Sequence, residues 1–173
     1  DTGSEPNIMF SQSELTSAMI QKPSIPLPVM TTYESAELGL TFSYPFLWEV
    51  TDLSEDGERN LLFSSPYEED NIWDMALFEL TSYETDEKDY LQSMAQYLED
   101  NGYKTSEATV DGLPALEALG TYESSDGNLF SNRYLMVQKG ETFIGFDFFI
   151  HESFGSDADP LFQSMIDSIS FAP

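Results

Sequence analysis

The segment from Phe143 to Ile150 constrains the fold of this chain more than any other stretch, because it is almost continuously apolar. Large apolar side chains occur at both its odd and its even positions. In a β-strand these two sets of positions point to opposite faces of the sheet. A strand that is apolar on both faces needs cover on both sides, which predicts a central strand with layers packed above and below it.

A run of ten residues that ends at Trp48 predicts a half-buried strand and its stop. Apolar residues alternate with Thr and Ser as far as Tyr44, so one face of the strand is apolar and the other is polar. Pro45 has no N–H to donate and restrains the residue before it, which predicts that regular pairing ends there. We then expect Trp48 to fold back and share one core with Phe146 and Phe148.

Hydrophobic periodicity and turn residues predict the other elements. Strands are expected at 29–33, 39–44, 48–51, 60–65, 75–83, 103–110, 114–123, 130–138 and 142–150. A helix is expected from Thr85 or Asp86 to about Asp100, with Asn101 and Gly102 as its left-handed stop. Its inward stripe is expected to consist of Tyr90, Leu91, Met94, Tyr97 and Leu98.

Two more helices are predicted, one near the start of the chain over 11–22 and one near its end over 157–167. The closing helix directs Leu161, Phe162, Met165 and Ile166 inward and carries Pro160 in its first turn. Antiparallel strands joined by Gly turns, with helices outside them, predict an α+β fold. The expected architecture is an α/β/α sandwich with a central antiparallel β-sheet.

The alternating strand, the Tyr44-Pro45-x-x-Trp48 step, the mid-chain amphipathic helix and the closing helix that runs into Ile169-Ser-Phe171 together resemble the PsbP-like family. That family is named for an extrinsic photosystem subunit, and bacterial secreted proteins and lipoproteins share its plan. The resemblance covers 29–173 and leaves 1–28 as an N-terminal tether, short helix and Pro-rich connector. It implies a non-enzymatic sandwich with no shared catalytic residues. Nothing at the N-terminus identifies a photosystem-binding extension.

The charge of the chain excludes one class of partner. The sequence has six Lys and Arg residues and 32 Asp and Glu residues. Its formal net charge is therefore -26, and the acidic residues are spread along the chain. Nucleic-acid binding needs clustered basic residues, and such a surface repels phosphates, so no nucleic-acid partner is expected. Solubility is the favoured interpretation of the charge, while a basic partner or captured cations are the alternative.

The composition also bears on location. There is no cysteine for a disulfide or a zinc–thiolate site, no cofactor is indicated, and no apolar run is long enough to span a membrane. The sequence begins at Asp1 with small polar residues, which fits export and a tether from an upstream lipid anchor. We therefore predict an extracytoplasmic domain, secreted or lipid-anchored, with an unknown protein or cell-envelope partner.

Acidic loops are the first candidate sites. The motif that starts at Asp52 and ends at Gly57 offers oxygen ligands like the first half of an EF-hand loop. The twelfth position, which should be a bidentate Glu, is a Phe in a predicted strand. Asp52, Asp56 and Glu58 are thus weak candidate metal ligands, and a solvated acidic turn is favoured. The run from Glu68 to Asp70, together with Asp74, is a second candidate with the same favoured interpretation.

His151 and Arg133 are the other residues that could carry chemistry. His151 is the only histidine and ends an apolar strand, so a hydrolase site would have to be assembled around it with loop carboxylates. No nucleophile-elbow motif supports that site, and a structural histidine is favoured. Arg133 lies inside a strand, where a structural ion pair is favoured over recognition of an anion.

These observations predict a non-catalytic extracytoplasmic binding or accessory domain of unknown ligand. Two alternatives stay open, a hydrolase built around His151 and a divalent-cation-binding protein that uses the acidic loops.

Overall fold

The structure is a computed structural model, and it describes residues 27–55, 58–65, 76–125, 127–152 and 155–172. The helices are α1 (Tyr90–Asp100) and α2 (Gly155–Asp167). The strands are β1 (Met30–Ser35), β2 (Leu40–Pro45), β3 (Glu49–Asp52), β4 (Arg59–Ser64), β5 (Ala76–Glu84), β6 (Lys104–Val110), β7 (Leu113–Glu123), β8 (Leu129–Lys139), β9 (Thr142–His151) and β10 (Ser170–Phe171). The helix expected at 11–22 lies outside the described residues, and the division between tether and domain at 28/29 stays a prediction.

The described strands form two antiparallel sheets. The large sheet has seven strands in the order β3-β4-β5-β9-β8-β7-β6, and the small sheet has three in the order β1-β2-β10. β9 is the fourth of seven strands, which confirms the central position expected for the doubly apolar segment. The α+β sandwich is confirmed as well. One central sheet was expected, whereas β1, β2 and β10 form a separate small sheet.

The main core lies on the face of the large sheet that carries the even-numbered residues of β9. The ring of Phe148 packs against the ring of Phe162 of α2, with ring centroids 4.8 Å apart. Phe42 of β2 places its ring 5.4 Å from Phe78 and 6.0 Å from Phe146, so the small sheet and α2 cover the same face. Trp48 is buried in this core together with Phe146 and Phe148, as predicted.

Helix α1 covers the opposite face of the large sheet. Leu98 belongs there to a second buried cluster with Leu116, Ala118, Met136 and Phe143. The expected inward stripe was wrong at Tyr97, whose side chain is 63% exposed. The stripe of apolar residues is wider than the strip of sheet that α1 covers, so Tyr97 is left in solvent.

The start of α1 also differs from the prediction. The helix begins at Tyr90, after Asp89, and not at Thr85 or Asp86. The Thr85 hydroxyl accepts a hydrogen bond from the N–H of Glu87 at 3.2 Å. A hydrogen bond from the backbone to a Thr side chain two residues earlier stabilises a turn. This turn competes with the helix at these positions, so the helix begins later.

The end of α1 follows the prediction and sets the position of Tyr103. Gly102 adopts φ +87°, its N–H donates to the Glu99 carbonyl at 3.0 Å, and the N–H of Tyr103 donates to the Leu98 carbonyl at 3.0 Å. These two bonds make a Schellman motif. Tyr103 is thereby turned back onto the sheet beside Leu98.

Helix α2 starts two residues earlier than expected, at Gly155, so Pro160 lies in its second turn and not in its first. Ala158, Leu161, Phe162 and Met165 are the buried residues that attach it to the main core. In the part of the chain described here, no helix is long and apolar enough to cross a bilayer.

Replacing Phe148 tests the central position of β9. Phe148→Ala removes a ring that contacts both Phe78 and Phe162, and we expect it to lower the free energy of unfolding by about 3–5 kcal/mol. Tyr97→Ala removes an exposed ring of similar size and should change it by no more than about 0.5 kcal/mol. Urea unfolding followed by fluorescence measures both values. A loss below about 1 kcal/mol for Phe148→Ala would contradict a central β9.

Candidate functional site

The predicted cation loop lines a shallow acidic cleft. Asp52 and Glu58 lie there with Glu37, Glu55 and Arg59, around a volume of about 390 Å³. Asp56 and the run from 68 to 74 lie outside the described residues. Within the described ranges, no group of three or more His, Cys, Asp or Glu side chains is arranged to hold a metal ion.

Two contacts in this cleft already engage its charged groups. The N–H of Ser54 donates to Asp52 Oδ1 at 2.9 Å, and hydrogen bonds from the Ser54 side chain and backbone lower the pKa of Asp52. Arg59 forms an ion pair with Glu37 and donates to the Tyr33 hydroxyl at 3.3 Å. The geometry is that of a capped acidic turn with an internal ion pair.

Arg133 lies in a structural ion pair, which confirms the favoured interpretation. Its Nε donates to Glu117 Oε1 at 2.7 Å, and its Nη2 donates to Gln163 Oε1 of α2 at 2.8 Å. These side chains line a cleft of about 470 Å³, and Asp159 lines it as well. With a carboxylate in contact and another nearby, this guanidinium is occupied by the protein itself.

His151 is placed at the end of β9, as expected. Its ring lies edge-on to the ring of Phe130, with centroids 5.9 Å apart. Phe130 is also its direct neighbour on β8. The structure thus places His151 among aromatic side chains, which is a structural environment for an imidazole.

The group that the sequence analysis missed is Asp147, in the middle of β9. It faces away from the main core, because its neighbours Phe146 and Phe148 belong to that core. Asn132 Nδ2 donates to Asp147 Oδ1 and also to the Phe148 carbonyl at 3.1 Å. Glu79 of β5 lies directly opposite Asp147. We name Asp147, Asn132 and Glu79 the polar row.

The environment of Asp147 favours its protonated form. Burial raises the pKa of Asp147 to about 7, the hydrogen bond from Asn132 opposes this rise, and the charge of Glu79 adds to it. An acid that titrates close to neutral pH is a mark of functional sites as well as of structural networks. A lone Asp within an apolar strand was the sequence signal that could have found it.

Tyrosines flank the polar row on the side of α1. The Tyr103 ring covers Gly120, where an added Cβ would lie 2.5 Å from Tyr103 Cδ1. The Tyr134 hydroxyl lies over Gly145, 3.1 Å from the place of a Cβ. Burial and then the charge of Asp147 raise the pKa of both phenols, so they remain uncharged hydrogen-bonding groups.

Aromatic side chains flank the polar row on its other side. We call this set the aromatic patch, and it consists of Tyr122, Phe130, Phe149 and His151 on strands β7, β8 and β9. The rings of Tyr122 and Phe149 lie 5.8 Å apart. Tyr122 is 49% exposed, and none of the patch belongs to the cluster that α1 buries. The arrangement can hold an apolar surface beside one titratable carboxyl.

We predict that calcium at micromolar concentration does not bind the Asp52 loop specifically, because the bidentate Glu of an EF-hand loop is missing there. Calorimetry of the wild-type chain should show no saturable heat, and Asp52→Asn should behave alike. Saturable binding to the wild type that Asp52→Asn abolishes would contradict this.

A second prediction concerns the close contact of Tyr103 with Gly120. Gly120→Ala should lower the free energy of unfolding by about 1–3 kcal/mol, because the new Cβ pushes the ring off the sheet. In a Tyr103→Ala background the same change should cost less than about 1 kcal/mol, since the obstacle is gone. Equal costs in both backgrounds would show that Tyr103 does not lie on Gly120.

Comparison with known proteins identifies the fold. No protein-family model matches the sequence, and no curated protein matches it. Solved structures do match at low identity. Cyanobacterial PsbP (CyanoP) from Synechocystis sp. PCC 6803 has a TM-score of 0.59 and 13% identity, over 86% of this chain and 95% of that one.

Two other structures are similar to a comparable degree. A protein of unknown function from Pseudomonas aeruginosa has a TM-score of 0.58 and 13% identity, over 83% of this chain and 98% of that one. LpqN, involved in cell envelope biogenesis of Mycobacterium tuberculosis, has a TM-score of 0.50 and 14% identity, over 84% of this chain and 91% of that one. The resemblance stated from the sequence is therefore confirmed at the level of the fold, and this chain has a PsbP-like architecture.

Proposed function

We propose that this chain is a non-catalytic binding or accessory domain that works outside the cytoplasm, and that its partner docks on the aromatic patch. The single observation that carries the proposal is the patch itself. It joins four rings across three neighbouring strands, on the part of the sheet face that lies beyond the cluster buried by α1.

The composition of the patch suits a protein interface. Aromatic side chains supply large contact area at low entropic cost and are enriched at interface centres. Tyr122 is half exposed, and a tyrosine combines an apolar ring with a polar hydroxyl group. Neighbouring aromatic groups that are only partly covered gain free energy when a partner removes them from water.

The charge supports a partner of a particular kind. A net charge of -26 favours a docking surface with an excess of Lys and Arg, because complementary charge speeds the encounter and disfavours acidic competitors. We therefore infer a partner with an apolar centre and a basic rim. Its association should weaken as salt is added.

The proposed location draws on the proteins that share the fold. One is a cyanobacterial PsbP, and another is involved in cell envelope biogenesis. An accessory role at the cell envelope for this chain is consistent with those two. The hydrolase alternative is less favoured, since His151 packs edge-on to Phe130 within the patch.

Site-specific photo-crosslinking in the native cell tests the docking face. We place p-benzoylphenylalanine at Tyr122 in the full chain, and at Tyr97 as a control that is 63% exposed on α1. We expect one recurring crosslinked species from position 122 and none from position 97. A Phe149→Ser change next to Tyr122 should reduce that crosslink. Cell fractionation of the same strain checks the location.

Equal crosslinking from both positions would contradict docking on the aromatic patch. Recovery of the chain in the cytoplasmic fraction alone would contradict the proposed location.

A further inference from the structure

Glu79 and Asp147 are two acidic residues that lie opposite each other at the middle of the large sheet. They are direct neighbours on β5 and β9, the third and fourth of the seven strands. Opposite residues in an antiparallel pair share one face, with Cβ atoms about 4.5–5.5 Å apart. Two like charges in this position destabilise a sheet when both are ionised.

The groups that face the pair from neighbouring elements are uncharged. From β8 come Tyr134, directly opposite Asp147, and Asn132, which donates to its carboxyl. The segment after α1 contributes the Tyr103 phenol, whose pKa is raised by burial and by the charge of Asp147. Leu62 of β4 lies opposite Glu79 on the far side. Along β9 itself, His151 is four residues away, roughly 13 Å at about 3.3 Å per residue.

Among the residues that the structure describes, no Lys or Arg faces the pair. Arg133 and Lys104 point to the other face of the sheet by strand alternation, and Arg59 forms its ion pair there. Lys139 donates to backbone carbonyls on that other face as well. Lys88 lines the groove between α1 and the sheet beside Gln138.

We propose that Asp147 binds a proton at the centre of the large sheet, where it lies opposite Glu79 and accepts a hydrogen bond from Asn132. Release of this proton places a negative charge on Asp147 beside Glu79, between β5 and β9 and next to the aromatic patch. The pair is thus a proton-sensitive element built into the strand pairing that holds the large sheet together.

The direction of the effect follows from proton linkage. Burial raises the pKa of Asp147 from its ordinary value of 3.8 to about 7. The hydrogen bond from Asn132 opposes this rise, and the charge of Glu79 adds to it. The folded state therefore binds more protons than the unfolded state between these two values. The stability that this group contributes is fully present below the lower value and is lost as the pH rises through about 7.

Carboxyl-carbon NMR of the full chain tests the pair directly. We expect the Asp147 carboxyl to titrate with a midpoint near 7 in the wild type, and at a lower pH in Glu79→Gln, because one of the two charges is gone. A midpoint below about 5 in the wild type, or no shift in Glu79→Gln, would overturn the proposal.

Thermal unfolding across the same pH range gives a second measurement. Asp147→Asn removes the titrating group, so its melting temperature should rise relative to the wild type as the pH increases from about 5 to 8. Asp86→Asn makes the same charge change at an exposed loop position, and its melting temperature should change with pH in parallel with that of the wild type. Parallel behaviour of Asp147→Asn would overturn the proposal. Neither measurement needs a partner, so their outcome is independent of the docking proposal.

Discussion

The packing of phenylalanine rings between the two sheets is the interaction on which the rest of the structure depends. Phe78 lies at its centre, 4.9 Å from Phe63, 4.9 Å from Phe148 and 5.4 Å from Phe42. Through these contacts the core joins β4, β5 and β9 to β2, and Phe162 adds α2. Aromatic pairs at these separations stabilise beyond the area that they bury.

A fully packed main core leaves the other face of the large sheet free to carry polar groups. On that face α1 covers the sheet only as far as Tyr103, which the Schellman motif holds over Gly120. Beyond this ring come the polar row and then the aromatic patch. The candidate site is thus bounded by the end of a helix and is built on strands, which hold side chains more rigidly than loops do. Asp147 can occupy a central strand because its neighbours Phe146 and Phe148 anchor that strand from the other side.

Several features of the fold could be predicted because they depend on local chemistry. The stop at Pro45, the return of Trp48 to the core and the left-handed Gly102 each follow from the restricted backbone of a few adjacent residues. The Arg133 ion pair was predictable as well, since a strand cation in so acidic a chain has many carboxylates within reach. The helix start was wrong because Thr85 can serve a turn as well as a cap.

The sequence by itself determined the class of fold, the central place of β9 and the strongly acidic surface, because alternation, apolar content and charge are properties of the residues in order. Only the tertiary structure decided which of the 32 acidic residues forms the candidate site. Asp147 meets Asn132 across the β8–β9 hairpin, but it meets Glu79 only because β5, a strand far away in sequence, pairs with β9 in this register. Register between distant strands is set by the packing of the whole core. A local pattern can single out Asp147 as a polar residue in an apolar strand, but it cannot reveal Glu79 as its neighbour, because that pairing forms only when β5 and β9 meet.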